Sequence, residues 1–502
     1  MRTDDTRRWL ALGALALAML TIGLDVTVLT VAIPTLAVEL DANISALQWF
    51  SSAYTLALAA LMLPAGALGD RFGRKKGLLA ALVLFGLASL ACAFADSAGQ
   101  LIAARVVLGI AAAALIPLSM AVLPVLFTDP AQRQRAVTIW VTATALGLPL
   151  GPVVGGWLLQ HYWWGSVFLI NVPLVILGAV AVAALVPESR GETGLRVDGL
   201  GAALSATGML GLTYGFIRIG ERSWGDPGAW SVIAASVVLL GAFLWWQRRS
   251  SHPLIDLALF AAPGFRWGTA LSLVVSFAMF GMFFTLPQYL QAVLGVDALG
   301  SGLRLLPLIG GLVVGSRLVD LLLPRLGARV VLTAGFLVLA CGVGLGALTR
   351  VDSGFGLTAL WTTVLGAGMG VVMPAAMGLA LGELTTARSG SGSALLQAIR
   401  QAGGTIGVAV LGTVLATAYR SDLGELNRPP ISDGVNAAVA ATADDPAALA
   451  RVQHAFVFGM DTMLGVCAVG CLIAAVVVAV GLERRPVAGQ TAADTAESMH
   501  AG

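Results

Sequence analysis

Charged residues are scarce in this chain. Only 11% of its 502 residues are Asp, Glu, Lys or Arg, whereas 58% are hydrophobic. Soluble globular domains carry about 25% charged residues, so this composition excludes an ordinary soluble protein. The formal net charge is only +2, which gives no reason to expect a nucleic-acid partner.

The signatures of an enzyme or a metal site are also missing. The four cysteines and four histidines are scattered without the close spacing that metal ligands need. The sequence contains no Ser/His/Asp arrangement and no phosphate-binding loop of the Walker type. We therefore expect no enzymatic activity, no metal, no cofactor and no use of ATP.

Long apolar stretches occupy most of the chain. Fourteen of them follow one another, and each is long enough, at roughly 20 residues, to cross a bilayer as a helix. They predict an all-α membrane protein with 14 transmembrane helices. The predicted spans are 9–33, 47–68, 77–95, 100–126, 136–159, 166–186, 198–219, 229–247, 266–292, 301–323, 328–349, 355–383, 392–418 and 454–482.

Polar linkers divide these helices into groups of six, two and six. We predict an N-terminal six-helix bundle (1–190), two inserted transmembrane helices with their linkers (191–262) and a C-terminal six-helix bundle (263–502). Before the last span, an outer loop (420–453) rich in Ala, Asp, Asn and Pro is expected to be solvated, with at most one short helix. Loops that would face the cytoplasm hold about nineteen Lys and Arg and the other loops about six, which predicts cytoplasmic N and C termini.

One span carries an acid near its middle. Asp25 lies in the stretch LTIGLDVTVLTVAIP, and a mid-span carboxylate costs at least ~2.5–3.5 kcal/mol. It is therefore a functional candidate and points to proton-coupled transport, although a structural ion pair or a substrate contact stays open. Arg105, in span four, lies at a depth that permits contact with Asp25. A cavity that opens to each side in turn would let such a carboxylate bind and release protons.

Two glycine-rich motifs indicate conformational gating. Residues 66–76 read GALGDRFGRKK, a basic loop with glycines for a tight turn and an acid near the next helix start. A similar loop, LPRLGAR, recurs at 323–329 and indicates duplicated halves. Span five contains GLPLGPVVGG, whose glycine spacing permits close helix packing. The gating candidates are Gly66, Asp70, Arg71, Gly73, Arg74, Gly147, Gly151, Pro152, Gly155 and Gly156.

These motifs resemble those of the major facilitator superfamily. The loop at 66–76 matches its GxLxDRxGRK signature, span five matches the antiporter motif gxxxGPxxGG, and span one looks like LDxTVxNxAxP with Thr30 in place of Asn. Arg105 and Gly109 match RxxxG, the string FLINVP lies in span six, and PES follows at its end. The chain is thus similar to 14-helix drug:proton antiporters of the quaternary-ammonium type.

The resemblance implies export of lipophilic small molecules against proton entry, across the cytoplasmic membrane of a bacterium, by a monomeric unit. The proton gradient would supply the energy, and the two six-helix bundles would rock against each other. A dedicated exporter of a natural product or lipid stays open as an alternative. A proton-coupled nutrient symporter is a further alternative, which span five disfavours.

A second set of polar residues lies in span thirteen. Gln397 and Gln401 share one helical face, with Arg400 beside them near mid-span. Such a cation should face a cavity or pair with an acid, for which Asp25, Glu383 and Asp461 are candidates. With few acids in the second half, neutral, singly cationic and anionic substrates are all compatible. We expect the substrate cavity to involve Tyr54, Trp140, Gln397, Arg400, Gln401 and Asp461, and aromatic lining from Phe280, Phe284 or Trp361.

Overall fold

Helices make up almost all of the structure. The computed structural model describes residues 2–190, 198–251, 253–254, 257–384 and 389–482. In these ranges the α-helices are α1 (Arg2–Glu39), α2 (Ile44–Phe72), α3 (Arg74–Ala93), α4 (Ala98–Leu126), α5 (Pro130–His161), α6 (Ser166–Leu169), α7 (Asn171–Leu185), α8 (Gly199–Glu221), α9 (Pro227–Arg249), α10 (Pro263–Gln288), α11 (Ala298–Arg304), α12 (Leu306–Gly346), α13 (Phe355–Leu381), α14 (Ser389–Leu423), α15 (Val435–Ala441) and α16 (Pro446–Gly481). Short 3-10 segments (Leu257–Ala261, Gly424–Leu426 and Ile431–Asp433) and a π-helical turn (Tyr289–Val293) lie between them.

The membrane-spanning character predicted from the sequence is confirmed. Among the described residues, thirteen helical segments are long and apolar enough to cross a membrane. The remaining predicted span, 136–159, falls within α5, which is 32 residues long but is not one of the thirteen. The all-α membrane fold is therefore established, and the count of fourteen spans stays a prediction.

Short polar side chains determine where many of these helices begin. Asn43 accepts a hydrogen bond from the backbone N–H of Ala46 at the start of α2, and Ser97 caps α4 in the same way. Aspartates cap α5, α8, α9, α11 and α16. Because the first N–H groups of a helix have no partner within it, these residues stabilise the helix starts beside the connecting loops.

Two loops of similar sequence turn on glycines with positive φ. Gly73 connects α2 to α3 with φ 118°, and Gly327 interrupts α12 with φ 75°. In this region of φ only glycine avoids strain. The break at Gly327 separates the predicted spans 301–323 and 328–349. The loops at 66–76 and 323–329 thus share a backbone feature as well as a sequence pattern.

The helices bury two large hydrophobic cores. One is formed by residues within 11–186, joined by Phe284 and Val408, and the other by residues within 271–482, joined by Val31 and Ile44. The inserted helices α8 and α9 contribute to neither core. They pack on each other, and α8 also packs against α2 and α14.

The helix ends define two faces of the bundle. The Gln291 amide, just after α10, donates at 3.1 Å to the carbonyl of Val31 in the C-terminal third of α1, so α1 and α10 run toward the same face. Gly481, at the end of α16, lies beside Trp267 near the start of α10. We call the face where α1 begins and α16 ends the terminal face, and the other the opposite face.

The segment before the last helix is shorter and better packed than predicted. Helix α14 continues to Leu423 and α16 begins at Pro446, so the predicted loop bounds of 420–453 are wrong at both ends. The short helix expected there is α15, but Val435 and Ala438 are buried in the second core. With Ile431 they recur at intervals of four and three residues, an apolar face that the polar composition of the segment conceals.

Candidate functional site

Asp25 lies at a fully buried polar centre that joins three helices. Its Oδ2 accepts a hydrogen bond from Arg105 Nη1 at 2.8 Å, within an ion pair whose side chains are 0% and 2% exposed. Its Oδ1 accepts a hydrogen bond from Asn171 Nδ2, also at 2.8 Å. Each carboxylate oxygen therefore has a donor, and the contacts connect α1 with α4 and α7.

Arg105 has further partners on α2. Its Nε donates to the Phe50 carbonyl at 3.0 Å, and its guanidinium lies 4.5 Å from the centre of the Tyr54 ring. Gly109, one turn further along α4, permits this approach, because a Cβ there would lie 2.9 Å from the Cβ of Ala57. The spacing of Arg105 and Gly109 thus brings the cation into contact with α2.

The ion pair of Asp25 and Arg105 depends on the charge of both side chains. A buried guanidinium and a buried carboxylate compensate each other's charge, and the loss of one charge leaves the other uncompensated. A proton on Asp25 would remove the negative charge that Arg105 faces. Proton binding and the ion pair are therefore competing states of the same carboxylate.

Asn171 is a partner to which the sequence analysis gave no role. It lay within a quoted motif, and the signal available was an amide in an otherwise apolar span. Its side chain is 0% exposed and also lies 3.3 Å from Ser89 Oγ of α3. Asn171 therefore positions the carboxylate by a contact that spacing alone does not reveal.

A narrow cavity lies beside this centre, between the two bundles. Its volume is about 20 Å³, room for about one water molecule. Tyr54 and Arg105 form part of its wall, and so do three phenylalanines of α10. The lining residues are Val26, Leu29, Thr30, Ser51, Tyr54, Thr55, Arg105, Phe280, Phe283, Phe284 and Val408.

Helix α14 contributes a polar strip next to this cavity, which we define as Gln397, Arg400 and Gln401. One turn beyond Gln401, the Thr405 hydroxyl bonds to that of Thr55 on α2 at 2.7 Å, so this side of α14 faces the other bundle. The Oε1 atoms of both glutamines and the Nε of Arg400 are buried without a hydrogen-bond partner. Together with the hydroxyl of Tyr54, which also has no hydrogen-bond partner among the described residues, these groups are available to a ligand near the cavity.

Two predicted cavity residues lie elsewhere. Trp140 is 5% exposed, packs in the first core and donates its indole N–H to Ser119 Oγ at 3.0 Å. Asp461 is half-buried on α16, and its Oδ1 is buried without a hydrogen-bond partner. Neither residue lines the cavity. Trp361, also considered as a lining residue, is 0% exposed in the second core.

The contacts show where two of the candidate acidic partners of Arg400 lie. Asp25 pairs with Arg105, and Glu383 lies against Gly264 at the start of α10. Among the ion pairs of the described residues, none includes Arg400.

The glycines of α5 allow close contact with α1. A Cβ on Gly147 would lie 2.6 Å from the backbone nitrogen of Leu24, and one on Gly155 would lie 2.7 Å from a methyl of Val28. Gly151 packs on Thr27 in the same way. Larger residues at these positions would separate the two helices.

The same motif also forms a contact between the bundles at the opposite face. Gly156 lies against the backbone of Ala298 and Leu299 at the start of α11, and the backbone of Pro152 lies against Gly302. Together with the bond from Gln291, these contacts join the two bundles on the side of the opposite face.

The basic loop after α2 is anchored at the terminal face. Arg74 donates from its backbone N–H to the Ser189 carbonyl at 2.8 Å and from its side chain to the Ala121 carbonyl at 3.0 Å. The backbone N–H of Lys75 donates to Glu188 Oε1 at 3.1 Å. The loop thus ties α3 to α4 and to the segment after α7.

The other predicted loop residues occupy the following places. Gly66 lies against Pro117 of α4, and a Cβ on Gly73 would lie 2.9 Å from the Glu188 carboxyl carbon. Arg71 is exposed, 5.3 Å from the centre of the Phe72 ring. The side chain of Asp70 lies outside the part of the chain that the structure describes.

Comparison with known sequences gives a consistent family. The sequence model of the Major Facilitator Superfamily matches residues 15–408. The tetracenomycin C resistance and export protein of Streptomyces glaucescens is 30% identical over 490 residues, covering 94% of this chain and 91% of that protein. The multidrug efflux pump LfrA of Mycolicibacterium smegmatis is 32% identical over 491 residues, covering 95% and 97%. The methyl viologen resistance protein SmvA of Salmonella typhimurium is 35% identical over 337 residues, covering 66% and 68%.

Solved structures show the same fold. A bacterial homolog of the human lysosomal transporter Spinster, in an inward-facing and unoccupied conformation, superposes with a TM-score of 0.65 at 16% identity, covering 96% of this chain and 99% of that one. The nucleoside transporter NupG superposes with a TM-score of 0.63 at 12% identity, covering 94% and 100%. At these identities the likeness concerns the fold alone.

Proposed function

This chain belongs to the major facilitator superfamily, and on that premise we propose that it is a proton-coupled antiporter that exports hydrophobic drugs and other toxic compounds. It would act by alternating access across the cytoplasmic membrane of a bacterium. Relatives named for multidrug efflux and antibiotic export over more than 90% of both chains support the export of drugs. The buried centre of Asp25, Arg105 and Asn171 is the observation that carries the proposal of proton coupling.

Proton exchange at Asp25 would drive the cycle. A proton that enters from the opposite face neutralises Asp25 and releases Arg105, which keeps its contacts with the Phe50 carbonyl and the Tyr54 ring. Loss of the proton at the terminal face restores the ion pair between α1 and α4. The energy source is the proton gradient, with no cofactor.

We assign the gating residues to the two faces of the bundle. Gly156 and Pro152 of α5 lie where the bundles touch at the opposite face, so these contacts would separate when that face opens. Gly147, Gly151 and Gly155 keep α5 packed on α1 within one bundle. The basic loop with Gly66, Asp70, Arg71, Gly73 and Arg74 lies at the terminal face, which we assign to the cytoplasm from the Lys and Arg distribution. We propose two rocking bundles, 1–190 and 263–502, with the two inserted helices of 191–262 outside them, in a monomeric transport unit.

The test uses inside-out membrane vesicles from bacteria that express the protein. We expect uptake of at least one of ethidium, rhodamine 123 and fluorescein when a respiratory substrate acidifies the lumen, and loss of this uptake with an uncoupler. Vesicles from cells that carry an empty vector are the control. Equal uptake in both preparations, or uptake that an uncoupler leaves unchanged, would contradict proton-driven export of these dyes by a multidrug pump.

A dedicated exporter of one natural product is the second candidate. It is favoured by the relative named for tetracenomycin C export, which is matched over 94% of this chain. Transport of a single natural product with exclusion of all three dyes would support this candidate over a multidrug pump.

A further inference from the structure

The strip on α14 contains a cation that the proposed proton cycle does not use. Arg400 is half-buried, its Nε has no hydrogen-bond partner, and no ion pair of the described residues includes it. A cation within a membrane span is costly unless it meets an acid, a water-filled cavity or a ligand. Its retention here without an acid partner therefore requires one of the other two.

Arg400 lies on α14 two helical turns before a residue that lines the cavity. Val408 lines the cavity, and Gly404 lies against the ring of Phe280, which lines it as well. Arg400 precedes these residues by one and two helical turns on the same face of α14, about 12 Å from Val408 along the axis. It thus lies on the terminal-face side of the cavity, where a cargo arriving from that side meets it first.

The charge balance of the region is positive. Asp25 is compensated by Arg105, so the pair adds no net charge, and protonation of Asp25 would make the sum more positive. A cationic cargo would meet uncompensated Arg400, which repels it. An anionic cargo would supply the missing counter-charge.

The neighbouring groups fit the recognition of oxygen on an aromatic body. A guanidinium offers paired N–H donors that match a carboxylate, and the amides of Gln397 and Gln401 can each donate as well as accept. Beyond the strip, Tyr54, Phe280 and the neighbouring phenylalanines give an aromatic wall suited to a planar ring system.

Resting on the proposed export function, we propose that Gln397, Arg400 and Gln401 form a substrate subsite for an anionic oxygen of an aromatic cargo, a carboxylate or an ionised phenol. The pump then prefers anionic aromatic compounds to cations of the same shape. Arg400 provides the charge, and the two glutamines orient the group.

Equilibrium binding of two dyes tests this subsite. Fluorescein and rhodamine 123 share the xanthene ring system and carry opposite charge, and binding of each to the purified full chain in detergent is followed by fluorescence anisotropy. We expect wild type to bind fluorescein at least about tenfold more tightly than rhodamine 123, as one charge-assisted contact implies. Arg400→Gln should lose most of this preference by weakening fluorescein binding, and Arg400→Lys should keep part of it.

Arg304→Gln is the matched control. Arg304 lies on α11, away from the strip, and its guanidinium is 4.8 Å from the centre of the Phe355 ring. Both dyes should therefore bind this variant with the same affinity as wild type. Elution as a single monodisperse peak checks the folding of each variant, and Arg400→Lys keeps the test valid if Arg400→Gln does not fold.

Wild type that binds rhodamine 123 as tightly as fluorescein would overturn the proposal. Binding of neither dye, or an unchanged preference in folded Arg400 variants, would overturn it as well. Because this assay needs no proton gradient, it separates the subsite from the transport function. Charge-selective binding without uncoupler-sensitive vesicle uptake would contradict the export function and leave the subsite in place.

Discussion

Replacement of Asp25 by Asn removes one negative charge with almost no change in volume. The carboxylate is 0% exposed and receives hydrogen bonds of 2.8 Å from Arg105 and from Asn171. Removal of one member of a buried ion pair costs about 3–5 kcal/mol, because the other charge stays buried. The new amide oxygen can still accept a bond from Arg105. We therefore expect the free energy of unfolding to fall by about 3 kcal/mol, the lower end of that range.

The functional effect should be selective. A neutral amide resembles the protonated carboxyl but cannot release a proton, so Asp25→Asn should bind and exchange cargo without coupling it to a gradient. In proteoliposomes, accumulation driven by a pH gradient should fall to background, while exchange of labelled for unlabelled dye at equal pH should persist. The dye is whichever of the three the vesicle assay shows to be transported.

Asp226→Asn is the matched control for this variant. Asp226 also pairs with an arginine, Arg218, at 2.6 Å, but it lies in the connection between α8 and α9. Both transport modes should survive that change. Gradient-driven accumulation by Asp25→Asn at the wild-type level would refute the proton-carrier role. Loss of exchange and accumulation together, in a folded protein, would indicate that the Asp25 pair is structural.

Three further variants test the Asn171 contact, the packing of α5 on α1 and the turn at Gly73. Asn171→Ala leaves one oxygen of Asp25 without its donor. The loss of a hydrogen bond to a charged group should lower the free energy of unfolding by about 1.5–3 kcal/mol. Gradient-driven accumulation should fall more than equal-pH exchange, and equal reductions would argue against a positioning role. Gly147→Ala places a methyl 2.6 Å from the α1 backbone, which should cost about 1–3 kcal/mol by overpacking and lower the melting temperature in detergent. Gly73→Ala forces alanine to φ 118°, a strain of about 1–3 kcal/mol that should also lower the melting temperature. Gly465→Ala is the control for both glycine variants, because a new Cβ there meets nothing within 4 Å. A melting temperature of Gly147→Ala equal to that of the control would contradict the packing argument, and one of Gly73→Ala equal to it would contradict the strain argument.

Local features of the chain were sufficient to predict its class and to select Asp25 as a functional candidate. The apolar stretches predicted the all-α membrane fold, because hydropathy over about 20 residues is a property of contiguous sequence. Asp25 stood out for the same reason, as an acid in an apolar stretch. Gly73 was predicted to form a tight turn, and its φ of 118° agrees.

Errors arose where apolar and polar residues alternate irregularly. The buried residues Val435 and Ala438 were assigned to a solvated loop, because the segment around them is rich in polar residues and the helix that contains them is short. Trp140 was expected near the cavity, yet it packs in the first core. For an aromatic residue in an apolar span, composition does not distinguish a packed side from a cavity side.

The sequence by itself determined which residues lie in the membrane and which of them are costly there. Only the tertiary structure decided which partners they meet. Asp25, Arg105 and Asn171 lie on helices far apart in sequence, and their contacts depend on the rotation and depth at which those helices pack. Among the residues that the structure describes, the same packing leaves Arg400 without an acid in an ion pair, although the chain contains acids that were candidates for it. Helical periodicity specifies the face of each helix, but the distance between two faces arises from the packing of all the helices together.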